Sequence, residues 1–202
     1  FLIFLIRLFK QMAINTTATV SSDIVFQQQD SEDNSFDNRQ GSIGFSATLT
    51  SGIGADYKEI DAVFNLQDYV IASGTTLALN FAEISQPIVG SQFTIAFTGI
   101  KSLIIFNQNT GVGQQVAVRT TGDNALSGMF NGGTGNVLIK PEGSYMYSDI
   151  YHGLSVGTGA NQQRNIYIGN TVDVMPPYGG AGSAYSTGVK VTVIAVGVSG
   201  GV

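Results

Sequence analysis

The chain has 202 residues, enough for one sizeable core or two small ones. It is 43% hydrophobic and 11% charged, which argues against a long disordered tail, and the absence of cysteine excludes disulfides, thiolate zinc sites and a cysteine nucleophile. The net charge is −5 and the basic residues are scattered singly, so the electrostatic footprint expected of a phosphate-binding surface is missing and no direct contact with nucleic acid is expected.

The first element is FLIFLIRLFKQ (1–11), which differs from all that follows. A spanning helix needs about 20 apolar residues. A secretory signal carries its positive charge before the apolar run and a small-residue cleavage site after it. Here the run is short, Arg7 and Lys10 interrupt or follow it, and no methionine stands in front. The expectation is that Met12 is the natural start, that 1–11 is translated from upstream or forms a hydrophobic extension, and that no membrane is involved.

Residues 12–40 read as an N-terminal arm ending in the polar, acidic loop QQQDSEDNSFDNRQG (27–41). Within that loop Asp30, Glu32 and Asn34 faintly match the alternating oxygen ligands of a calcium loop. The glycine and closing glutamate of an EF-hand are missing, so a solvated surface loop is expected, with no metal or other cofactor. Asn15-Thr16-Thr17 is a glycosylation sequon, relevant only to a secreted eukaryotic chain.

From Asn15 onward the apolar period is two. GSIGFSATLT (41–50), DAVFNLQDYVIAS (61–73) and TTLALNFAEI (75–84) alternate apolar and polar positions. In the last of these Leu77, Leu79 and Phe81 fall on one face, and SQFTIAFTG repeats the device with Phe93, Ile95 and Phe97. KSLIIFN (101–107) is continuously apolar, as a strand buried on both faces would be. Further strands are predicted at QQVAVRT, GNVLIKP, SYMYSD, RNIYIGN and VKVTVIAVGV. A single helical turn is expected near 123–130, with Leu126, Met129 and Phe130 facing inward. Turn signals rich in Gly, Asn and Pro recur at spacings near ten residues, a pattern of sandwiches, jelly rolls and barrels. MPPYGGAGSAYSTG (175–188) reads as a long excursion before the last strand. The fold expected is all-β: a jelly-roll-like β-sandwich of about ten short antiparallel strands over 41–202, preceded by the extended arm.

Little chemistry is written into the chain. The one histidine, His152, lies three residues from Asp149, but no G-x-S-x-G nucleophile elbow accompanies them, and a second histidine for a metal site is missing. The Gly-rich pieces lack the Gly-Lys-Ser/Thr of a P-loop and read as turns. No catalytic residues are assigned and no enzyme is expected. Phe64, Phe81, Phe93, Phe97 and Phe106 are predicted core residues, while six of the eight tyrosines fall late in the chain. Tyr178 and Tyr185, in the Gly-rich excursion, are the tyrosines singled out for contact with a partner.

The order FTGIKSLIIFNQNTG, QQVAVRTTGDNALSGMFNG, NVLIKPEGSYMYSD, GLSVGTG, RNIYIGNT and VKVTVIAVGV resembles small bacteriophage virion structural proteins of the capsid-associated, decoration or head-fibre-like kind. The likeness covers about residues 61–198, and the start MAINTTATVSSDIVF resembles their N-termini. It is a pattern of strands and turns, from which the MPPYGGAGSAYSTG insertion departs. It implies a non-enzymatic capsid, decoration or minor capsid component, assembled in the host cytoplasm and resident in the virion. Its partners would be copies of itself and other virion proteins. The arm would then order on assembly by adding a strand to a neighbour, with Ile14, Val20, Ile24 and Phe26 as interface residues. The alternative is a carbohydrate-binding or adhesive β-sandwich module on a fibre or cell surface. A glycan site would need two or more exposed rings beside amides or carboxylates in one concavity.

Overall fold

The computed structural model describes residues 18–30, 37–52, 58–88, 91–111, 114–119, 124–130, 136–157, 159, 162–170 and 188–199. They are nearly all β-structure. In chain order the first seven strands are β1 (Ala18–Asp30), β2 (Asp37–Ser51), β3 (Glu59–Ile60), β4 (Ala62–Ile71), β5 (Thr76–Asn80), β6 (Ile84–Ile88) and β7 (Ser91–Ile95). They are followed by β8 (Phe97–Asn107), β9 (Val116–Arg119), β10 (Asn136–Ile139), β11 (Ser144–Ser148), β12 (Leu154–Ser155), β13 (Asn165–Gly169) and β14 (Val189–Ser199). A 3-10 turn at Ser127–Phe130 is the helical turn expected there.

Two sheets form the body. One has the order β11-β8-β14-β4, with β12 also on β8, and the other has the order β10-β9-β13-β5. Their ladders are antiparallel. The pairing among eight of the strands is nested: β4 with β14, β5 with β13, β8 with β11, and β9 with β10. The first of the eight therefore lies beside the last, the second beside the seventh, and so inward. A chain that pairs in this way behaves as one long hairpin wrapped over two sheets.

The period-two pattern explains why the sheets stack. Leu103 and Ile105 on β8, with Val191, Val193 and Ala195 on β14, turn buried side chains to the same core as Val118 on β9 and Ile166 and Ile168 on β13. Phe81 stands at the centre of an aromatic series, with ring centroids 6.3 Å from Phe64 and 5.9 Å from Phe97, both edge-on. Such pairs add about 0.5–1.5 kcal/mol each beyond the area they bury. Leu126 and Met129, beside and within the 3-10 turn, are buried in the same core. Of the run expected to be buried on both faces, 101–107, residues 101–103, 105 and 107 are buried, while Ile104 and Phe106 are half-buried.

Polar groups inside are tied down. Asn107 is fully buried, and its Nδ2 donates to the carbonyls of Gln114 at 2.8 Å and Ile139 at 3.1 Å. Its Oδ1 accepts the Asn109 backbone N–H at 3.1 Å. One side chain thus holds the end of β8 to the loop before β9 and to β10.

Several expectations are corrected. Phe106 is half-buried rather than a core residue, because it shares parity with Ser102 and Ile104, and core-facing parity in this part of β8 belongs to Leu103 and Ile105. Phe93 lies in β7, but its side chain is outside the described residues. The loop expected over 27–41 is shorter than its composition suggests: residues 27–30 continue β1 and 37–41 open β2, with every residue of β1 paired to β2. The division expected between 40 and 41 falls inside β2. The first segment therefore meets a partner strand in its own chain, and the two make a ribbon.

Candidate assembly surface

β1 and β2 are antiparallel from Ala18↔Leu49 to Asp30↔Asp37 with no break in register, a ribbon about 40 Å long at the usual rise per residue. Register decides its faces. Where side chains are described, Ala18 and Val20 of β1 share a face with Leu49 and Ala47 of β2. The opposite face there carries the exposed Thr19 and Ser21 beside Thr48 and Ser46.

The ribbon joins the body at its base. Val20 and Leu49 are buried with Ile60 of β3 and Val196 of β14, and Ala18 and Ile150 pack against them. β3 runs parallel to β2, with Thr50 N–H donating to Lys58 O at 2.8 Å and Gly52 N–H to Ile60 O at 3.0 Å. Val196 lies on the face of its sheet turned away from the main core, so the base is a second, smaller core on the outer side of the sandwich. Val20, expected as an interface residue, is part of that core. Ile24 and Phe26 pair with Ile43 and Gly41 in the β1–β2 ladder, with their side chains outside the described residues; Ile14, Tyr178 and Tyr185 are outside the described residues, and so are Glu32 and Asn34 of the acidic loop. Asp30 ends β1 opposite Asp37.

Beside the base, residues 149–153 form a held loop. Asp149 Oδ1 accepts the backbone N–H groups of Tyr151 at 3.1 Å and His152 at 3.0 Å. Burial raises the Asp149 pKa, but hydrogen bonds from the His152, Tyr151 and Gly153 backbone, with the His152 charge, outweigh it and hold the carboxyl below its ordinary value. From the other side Lys101, itself buried, donates Nζ–H to Tyr151 O at 2.7 Å. The loop presents Tyr151 with 56% of its surface exposed. It edges a hollow of about 410 Å³ lined by Ser148, Asp149, Ile150 and Tyr151. His152 thus meets Asp149 through its backbone N–H.

A second hollow, of about 280 Å³, lies between the edge strands β4 and β5. Leu66, Tyr69, Leu77, Asn80 and Glu83 are among its walls, and Tyr69 is the exposed ring there, at 41%. The other late tyrosines are less free. Tyr145 and Tyr147 pack on the main core and burial raises both pKa values, while the hydroxyl of Tyr167 accepts from Asn165 Nδ2 at 3.3 Å. On the outer face of the β11-β8-β14-β4 sheet, Met146, Ile104 and Ile194 lie side by side across three strands. Among the described residues no three acidic or histidine side chains gather closely enough to hold a metal, and no helix is long and apolar enough to cross a membrane.

A scan against family models and a search of curated proteins found no match to this chain.

Sequence reading did not find the β1–β2 hairpin, although its signal is present. Apolar residues stand at 18, 20, 24 and 26 and at 43, 45, 47 and 49, the parities that an antiparallel hairpin superimposes. Nor did it find Tyr69, Lys101 or Tyr151, whose exposure or burial is set by tertiary neighbours.

Proposed function

We propose that this chain is a non-enzymatic structural protein of a virus particle, a capsid, decoration or minor capsid component built on a jelly roll and acting through symmetric protein–protein contacts. The observation that carries the reading is the nested pairing of eight strands across a four-stranded and a five-stranded sheet, which we read as jelly-roll connectivity, a fold found in viral capsid and lectin domains. Fold supports function only by analogy. Two further features favour assembly. The chain is poor in charge, and contacts poor in charge avoid the cost of burying unpaired ions. A long two-stranded ribbon, β1 with β2, is anchored to the body by a small second core at Val20 and Leu49. On this reading the chain is assembled in the host cytoplasm and resides in the virion, contacting copies of itself and other virion proteins.

The second reading, a carbohydrate-binding module, draws on the β4–β5 hollow, where Tyr69 stands beside Asn80 and Glu83. That is one exposed ring where stacking on a sugar is best served by two. The test is the mass of the purified full-length chain over a range of concentrations, with electron microscopy of whatever forms. Oligomers of closed symmetry are the expected result. A monomer at every concentration that binds immobilised glycans would overturn the first reading in favour of the second.

A further inference from the structure

The hollow between β4 and β5 lies at the mouth of the sandwich, because these are edge strands of its two sheets. Its inner wall is apolar: Phe64 belongs to the main core, and Leu66 and Leu77 pack against it. Tyr69 reaches the hollow through an irregularity in β4. Leu66 pairs with Val193 and Tyr69 with Val191, so Gln67 and Asp68 both face the single Thr192. Regular alternation from Phe64 and Leu66 would turn Tyr69 to the outer face. The extra residue returns it to the inner side, since its partner Val191 is a core residue, as is Val193 opposite Leu66. Bulges of this kind re-aim a side chain and are over-represented beside functional sites.

The bulge is held at a conformational cost. Asp68 has a φ of 54°, in the left-handed region that residues other than glycine enter uncommonly. Two neighbours fix it there. Its Oδ1 accepts from Gln108 Nε2 at 2.9 Å, across β14, and its N–H donates to Thr192 Oγ1 at 3.4 Å. The polar rim of the hollow is uncommitted. Among the described residues the exposed Glu83 carboxylate has neither a hydrogen bond nor an ion pair. Asn80 uses its Oδ1 to accept the Ala82 N–H at 3.2 Å, which leaves the two protons of its Nδ2 to donate.

We propose that this hollow binds one neutral hexopyranose residue of a glycan, its apolar ring face stacked on Tyr69 and its hydroxyls shared between the Glu83 carboxylate and the Asn80 amide. The proposal goes beyond the assembly reading and holds whether or not the chain self-assembles. A pyranose has a C–H face that matches a flat, amphipathic ring, and a rim of hydroxyls that donate and accept. Glu83 can only accept, and Asn80 Nδ2 can only donate, so the pair suits neighbouring hydroxyls. At about 280 Å³ the hollow falls just under the roughly 300–1,000 Å³ of sites for drug-sized ligands, which fits one ring rather than an oligosaccharide. The charge on Glu83 also disfavours an acidic sugar, since like charges repel.

The experiment is saturation-transfer difference NMR on the full-length chain with the methyl glycosides of glucose, galactose, mannose, N-acetylglucosamine and N-acetylgalactosamine. Transfer to at least one of them is expected, strongest at the protons of one ring face. Tyr69→Ala should weaken that binding by about tenfold or more, the range of a lost aromatic anchor. Glu83→Gln should weaken it too, whereas Tyr69→Phe should retain the stacking. Tyr151→Ala, which removes the exposed ring at the other hollow, should leave it unchanged. Tyr69 and Glu83 are exposed, and circular dichroism checks that each variant keeps the wild-type fold. Transfer to none of the five glycosides, or transfer that Tyr69→Ala and Glu83→Gln leave unchanged, would overturn the proposal. Absence of transfer in a chain that forms closed oligomers removes this inference alone, and binding by a chain that stays monomeric removes the assembly reading alone.

Discussion

The sandwich and the ribbon are both antiparallel β-structure, but they satisfy different shares of what a strand needs. In the sandwich each sheet has another sheet against its inner face, and residues such as Phe81, Ile105, Ile168 and Val193 are fully buried. In the ribbon the backbone ladder is complete, and Val20, Ala47 and Leu49 are buried at its base in a second, smaller core. Hydrogen bonds exchange with water at a modest net gain, whereas apolar burial is the dominant favourable contribution to folding. The body, with its larger core, should accordingly be held more strongly than the ribbon base.

The sharpest way to break that contrast is at Phe81. Phe81→Ala removes both edge-on ring contacts and opens a cavity where the two sheets meet, at a cost of about 3–5 kcal/mol. Urea unfolding followed by circular dichroism is the measurement. A loss below about 1 kcal/mol would mean that the phenylalanine series does not lock the body.

Next in size is the ribbon base. Leu49 is fully buried with Val20, Ile60 and Val196, and Leu49→Ala should cost about 2–4 kcal/mol within that smaller core. The comparison gives the loss a location. Hydrogen exchange should accelerate across β1 and β2 while the amides of β8 and β14 keep their protection. Equal acceleration in both regions would show ribbon and body to be one cooperative unit.

These two sites also show how far the sequence could be read. Leu77, Leu79 and Phe81 declare their face by alternation alone, because burial on one side of a strand leaves a period of two. The same rule misassigned Phe106: in a run as apolar as KSLIIFN both parities look buried, and only strand order decides which one meets the opposite sheet. The polar run over 27–41 misled in the opposite direction. Gln and Asn on the solvent side of a ribbon resemble a loop, and only register with β2 distinguishes the two. For the candidate surface, Ile24 and Phe26 were legible as apolar positions. That Val20 is covered by Val196, more than 170 residues later in the chain, was not. Nor could residue types alone predict that one edge lacks a bulge while another has one.

A smaller effect tests the body's own polar ties. Asn107→Ala leaves the Gln114 and Ile139 carbonyls without that donor and the Asn109 N–H without that acceptor. The expected cost is about 1–3 kcal/mol, the range for orphaning buried polar groups. Thermal unfolding would register it, and Asn107→Asp should not restore stability, since a carboxylate cannot donate to two carbonyls.

The smallest effect is at Asp149, and it depends on pH with a definite sign. The carboxylate accepts backbone N–H groups that hold the Tyr151 loop, and its pKa is lowered in the folded chain. A depressed carboxyl contributes stability above its unfolded pKa, about 3.9 for aspartate, and that contribution disappears as pH falls through the folded value. Wild type and Asp149→Ala should therefore differ in stability at neutral pH and converge in strong acid. The gap should be modest because the loop is near the surface, where solvent screens charge. NMR titration of the Asp149 carboxyl carbon supplies the independent reading, with a midpoint below that of aspartate in a peptide. If the variant instead lost equal stability at every pH, the side chain would act by packing. The loop would then owe its shape to Lys101 gripping the Tyr151 carbonyl from the body, so that the sandwich alone positions the exposed ring beside the ribbon's base.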